Sequence, residues 1–244
     1  MSQSDVIGAS VPSSEWQQPG YAEMFYPDSD GRPMAENDQQ YRTIVDTRFA
    51  LEEYYRDNRM VYVGADMLVY FERGDPTKSV APDVFVSLGV PKVTRRSYFI
   101  WAEGKAPDVV FEIASPGSWR ADITWKRGLY AGLGIREYFV FDPKKEFISP
   151  VLQGFRLDGA FYGEIGAISG GRGEVGVHSE VMALELWAVV NEDREMPRVL
   201  RLFDPRSGEW LRTPAQEAES RRVAEASVRQ EAEARQADGA LADG

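Results

Sequence analysis

Ala106-Pro107-Asp108-Val109-Val110-Phe111-Glu112-Ile113-Ala114-Ser115-Pro116 is the stretch whose reading decides the fold. Residues 108–114 are apolar on both faces apart from their acids, the pattern of a strand in the middle of a sheet covered on two sides. Glu112 interrupts that run where an unpaired, ionised carboxylate would be expelled or neutralised. A charge placed there needs a partner.

Downstream, a helix is predicted over 121–133, closed by Gly132 and Gly134. At about 100° per residue it puts Asp122, Trp125, Lys126, Leu129, Tyr130 and Leu133 on one face. A lysine inside that stripe is unfavourable unless its ammonium meets a carboxylate. Three readings stay open: snorkelling past the rim, an i,i+4 pair with Asp122, and a buried pair with Glu112. A buried pair contributes little net stability, so structure alone is a weak reason for it.

Upstream, Ala81-Pro82-Asp83-Val84 supplies a second carboxylate at the start of a strand, after a proline that stiffens the entry. The tetrapeptide recurs at Ala106-Pro107-Asp108-Val109, so Asp108 competes for the role. Asp108 and Glu112 lie about 13 Å apart along one strand, at about 3.3 Å per residue, too far to share an ion. Asp83, on an adjacent strand, can face Glu112 across the ladder spacing of about 4.8 Å. Two acids that repel unless a cation lies between them, with a lysine alongside, are the equipment of metal-dependent phosphodiester hydrolysis.

Around this nucleus the chain reads as α/β. Residues 1–33 form a Ser/Gln/Pro/Gly-rich lead-in expected to be flexible. An amphipathic helix over 36–56 presents Tyr41, Ile44, Val45, Phe49, Leu51 and Tyr55, with Glu36 and Asp38 in its first turn. Strands are expected at 60–63, 67–72, 84–88, 108–114 and 137–141, the second helix crossing over to deliver the last of them. Short strands at 153–160, 167–173 and 181–189 extend the domain, which spans 34–190. A hairpin of 199–203 and 210–212 occupies 191–214. The Ala/Glu/Arg-rich segment 215–244 is helical by propensity and nearly free of large apolar residues, a solvated or loosely coiled tail.

Composition narrows the function. Cysteine is absent, which removes disulfides, thiolate catalysis and cysteine-ligated zinc. His178 is the single histidine, at a turn-rich strand start with no Gly-x-Ser-x-Gly elbow nearby, so no catalytic part is expected of it. No run reaches the roughly 18 to 20 apolar residues of a membrane span, and no export signal opens the chain, so a cytosolic protein is expected. The net charge of -11 argues against a general nucleic-acid coat.

The same motifs, with Lys126, Tyr130, Gly134 and Arg136-Glu137-Tyr138-Phe139-Val140-Phe141-Asp142-Pro143, resemble the Uma2 family of endonucleases of the PD-(D/E)xK type. The resemblance runs from about Pro33 to Val189. It implies a restriction-endonuclease-like core, a mixed sheet flanked by helices, cleavage of DNA with Mg2+ or Mn2+, and by analogy a homodimer. Asp83 and Glu112 match the motif acids. The motif lysine belongs two residues after the second acid, where Ala114 stands, and Lys126 takes its place. The expected ligands are then Asp83, Glu112 and the carbonyl of Ile113, with Glu36 as a further one and Asp66 and Asp122 as weaker candidates. Lys92, Arg95, Arg96 and Lys105, interleaved with Tyr98 and Trp101, are candidates for backbone contacts. The rival readings are a catalytically inactive nuclease-fold binding module and an assembly protein.

Overall fold

The strand that carries Glu112 lies third in a six-stranded mixed sheet, as its two-sided apolar pattern requires. In the computed structural model, which describes residues 25–29, 31 and 35–242, this sheet runs in the order β1 (Val61–Ala65), β4 (Val84–Leu88), β6 (Val109–Ile113), β7 (Glu137–Phe141), β8 (Leu152–Asp158) and β9 (Phe161–Glu164). Neighbours are antiparallel except β6 and β7, which run parallel from Val109 opposite Glu137 to Ile113 opposite Phe141. The link between them is helical: α3 (Trp119–Ala121), a π turn (Asp122–Lys126) and α4 (Arg127–Gly132) follow one another without a break. The expected α/β architecture, a mixed sheet flanked by helices, is what the chain adopts.

Alternation along β6 separates two cores. Val109, Phe111 and Ile113 pack with Ile44 and Leu51 of α1 (Asp38–Tyr54) and with Val177, Leu184, Leu186, Leu200 and Leu202. Val110 packs on the opposite face among Phe85, Tyr130, Tyr138, Val140 and Phe155, so Glu112 and the helical crossover share that side. Gly64 is opposite Phe85, and a Cβ there would fall 2.2 Å from the Phe85 ring, so this register admits no side chain at 64 without displacing the ring.

Two smaller sheets complete the folded part. One is β3 (Ser79–Val80), β2 (Val69–Tyr70) and β5 (Tyr98–Phe99), followed by the short α2 (Ile100–Glu103). The other joins β10 (Ala167–Ser169), β11 (Val175–Ser179), β12 (Leu184–Val190), β13 (Arg198–Asp204) and β14 (Glu209–Trp210). Segment 191–214 therefore enters a larger sheet: β13 pairs with six residues of β12. Glu137, at the start of β7, receives Arg156, the hydroxyl of Ser179 and the Glu180 N–H, tying β7 to the end of β11.

Several sequence expectations need correction. Strand 67–72 shrinks to Val69–Tyr70, and 167–173 ends at Ser169. β9 was not foreseen as a strand, and β11 was foreseen only as the strand start at His178. The buried stripe of α1 is Gln40, Thr43, Ile44, Thr47, Ala50 and Leu51, while Tyr41 is exposed, because at about 100° per residue it lies roughly 110° from the centre of that stripe. Trp125, inside the π turn, is also exposed, since it lies at the edge of the predicted face. α5 (Pro214–Ala242) forms a separate compact unit with the residues from Arg212 onward. The lead-in expected to be flexible falls almost wholly outside the described residues.

Candidate active site

Asp83 directly precedes β4, whose pairing of Val84 with Phe111 sets Asp83 opposite Glu112 when the register is continued by one residue. Asp83 Oδ2 accepts a hydrogen bond from the Ile113 N–H at 2.6 Å, which fixes the carboxylate at the end of β6. Glu112 is buried, and its Oε1 accepts from the Tyr130 hydroxyl at 2.5 Å.

Lys126 meets both remaining acids. Its Nζ lies 2.9 Å from Glu112 Oε2 and 2.8 Å from Asp122 Oδ1. Two of the three readings left open by the sequence thus hold together: the i,i+4 pair and the pair with β6. Asp122 Oδ2 accepts from the Ser118 hydroxyl at 2.9 Å, and the Asp122 carbonyl accepts from Tyr138 Oη at 2.9 Å. The π turn is supported from β7, and its carboxylate and ammonium turn toward the sheet together. Lys126 keeps 13% side-chain exposure against 2% for Glu112 and 0% for Asp122, so the ammonium is the most open of the three.

Three buried carboxylates face one ammonium. Burial pushes Asp83 up to about 7 and also raises Glu112 and Asp122, because one lysine does not offset the desolvation of three acids. Lys126 is held in its charged form: burial opposes this, but Glu112 and Asp122 outweigh it. Fully ionised, the three carboxylates outnumber the one ammonium, and Asp83, Glu112 and the Ile113 carbonyl offer oxygen donors of the kind that a hard divalent cation takes.

Gln40, in the first turn of α1, was missed by the sequence reading. Its Nε2 lies 3.3 and 3.5 Å from the two oxygens of Asp83 and 3.4 Å from the Ile113 carbonyl. Its presence on the buried stripe between polar Asn37 and apolar Ile44 was the available signal, of the same kind as that of Lys126.

The other candidates sort clearly. Glu36 is exposed and clasps the turn before α3: the Gly117 N–H donates to its Oε2 at 2.9 Å, and a Cβ at Gly117 would fall 2.1 Å from its Oε1. It does not complete a third acidic ligand, since no group of three or more His, Cys, Asp or Glu side chains able to hold a metal occurs among the described residues. Asp66 donates its backbone N–H to the carbonyls of Pro82 and Asp83. Asp108 is engaged by Lys105 and the Leu88 N–H, away from this cluster. Asp142 accepts four backbone N–H groups in the following turn, as a turn residue should. The basic loop is internally committed: Arg95 pairs with Glu103, Arg96 with Asp28, and Lys92 donates to the Glu52 carbonyl. Tyr98 is buried and not open to a base, while Lys92 and Arg96 stay exposed. His178 contributes its carbonyl to Arg156.

The family model of Uma2, described as "Putative restriction endonuclease", matches residues 32–190. That is more than half of the chain, and the chain belongs to the Uma2 family. Among solved structures it is similar to "a putative nuclease belonging to DUF820 from Anabaena variabilis", at 14% identity and a TM-score of 0.38, over 77% of this chain and 78% of that one. A search of curated proteins finds no match. Among the described residues, no helix is long and apolar enough to cross a membrane.

Proposed function

We propose that the chain is a metal-dependent endonuclease that hydrolyses phosphodiester bonds of DNA at the Asp83, Glu112 and Lys126 cluster. The observation that carries this reading is the convergence of those three charges from three elements, with Lys126 Nζ 2.9 Å from Glu112 and Asp83 fixed on the Ile113 N–H. Asp83, Glu112 and the Ile113 carbonyl would hold Mg2+ or Mn2+, and Glu36 lies outside the set. A bound divalent cation supplies Lewis acidity toward the phosphate and a more acidic water.

The chain's own residues divide the remaining work. Lys126, charged and partly exposed, donates N–H bonds to a phosphate oxygen or to the attacking water. Asp122 holds the lysine, and Tyr130 holds Glu112 in its rotamer. Cutting both strands of a duplex calls for two such sites, which is the reason to expect a homodimer.

The test is cleavage of plasmid and single-stranded DNA with Mg2+ or Mn2+. Chelator should abolish it, and Asp83→Asn, Glu112→Gln and Lys126→Ala should each reduce it by at least about 100-fold, the scale of a lost acid-base or electrostatic group. Unchanged activity in all three variants would overturn the assignment. DNA binding without turnover would favour a nuclease-fold binding module.

A further inference from the structure

The cluster contains one donor that a cation site does not need. Gln40 Nε2 sits within 3.5 Å of both Asp83 oxygens and the Ile113 carbonyl, three of the acceptors that a divalent ion would take. Gln40 is 6% exposed, so no water reaches this amide freely. Its orientation is fixed from the other end, because Oε1 accepts the Glu36 N–H at 2.9 Å. Flipping the amide would set its NH2 against that N–H, two donors facing each other. An N–H group aimed at carboxylate and carbonyl lone pairs stands where a cation would be welcome and is itself incompatible with one.

We propose that Gln40 is a gate on the metal site: its amide bridges Asp83 and the Ile113 carbonyl in the metal-free protein and must leave when a divalent cation enters. Its departure gives up the bond to the Glu36 N–H. Glu36 in turn clasps Gly117 in the turn that leads to Ser118, Asp122 and Lys126. Metal occupancy is thereby linked to the segment that enters α1 and to the turn that positions the lysine. Gln40 is a positioning residue, and the inference rests on the metal reading given above.

The experiment is calorimetric titration of the full-length protein with Mg2+ at mildly alkaline pH, comparing wild type with Gln40→Met, which keeps the volume and removes the amide. A second variant, Gln40→Ala, guards against a packing effect of the thioether. Loss of the competing donor should tighten Mg2+ binding by about two- to tenfold, the range that one net hydrogen bond spans. In the wild type, Mg2+ should also speed hydrogen exchange of the Glu36 amide, whereas in Gln40→Met that amide should exchange fast from the start. Both variants binding Mg2+ as weakly as wild type, or more weakly, would overturn the gate. A wild type that binds no divalent cation would overturn the metal reading itself, a distinct result.

Discussion

Lys126 pairs with two buried acids, and its loss has a defined cost. Lys126→Ala leaves Glu112 and Asp122 buried without that ammonium, so in alkaline solution, where both are ionised, the variant should lose about 3 kcal/mol. The deficit should shrink as pH falls through about 8, where Glu112 takes up its proton, as thermal melts across pH will read. Asp83 gives the metal-free wild type its own pH dependence. Its carboxyl is raised in the fold from an ordinary value near 4 to about 7, so its stabilising contribution is complete at low pH and is lost as pH rises through 7. Melting temperature in chelator should therefore fall across that window, and saturating Mg2+ should flatten the profile. These charges were readable because each one interrupts an apolar pattern. Gln40 interrupts its stripe too, but a neutral amide violates no rule strongly enough to mark it.

At the scale of elements, the π turn does what an ordinary helix would not. Its Asp122 carbonyl is completed by Tyr138 Oη from β7, so a strand side chain supports the turn that presents the lysine. Tyr138→Phe should cost about 1 kcal/mol, the net worth of one buried hydrogen bond. It should also lower cleavage while leaving the secondary structure unchanged by circular dichroism. No pattern in residues 121–133 announces this turn, because its cause sits on another element. β4 and β7 were legible to the residue, being continuous apolar runs with Pro82 before one and Asp142-Pro143 after the other. β11 was not, since Gly176 and His178 weaken its alternation and its burial comes from β12. The two-residue strands β2, β3 and β5 are too short to carry a period.

For the whole molecule, the sheet order dictates where the chain can be cut. β13 lies between β12 and β14 and buries Leu200 and Leu202, so a chain ending at residue 190 should not melt cooperatively. A chain ending at residue 213 keeps every named site residue and both cores. It should retain the melting temperature and Mg2+ affinity of the full length, and a marked fall in either would assign the tail a part in the site. The order of assembly matters as well. Asp83, Glu112 and Lys126 all precede β7, yet β6 is flanked on one edge by β7 and the lysine's turn leans on Tyr138. A nascent polypeptide still short of residue 141 would thus hold every reactive group of the proposed nuclease without the scaffold that gathers them, and under that function it would emerge from the ribosome harmless to nearby nucleic acid.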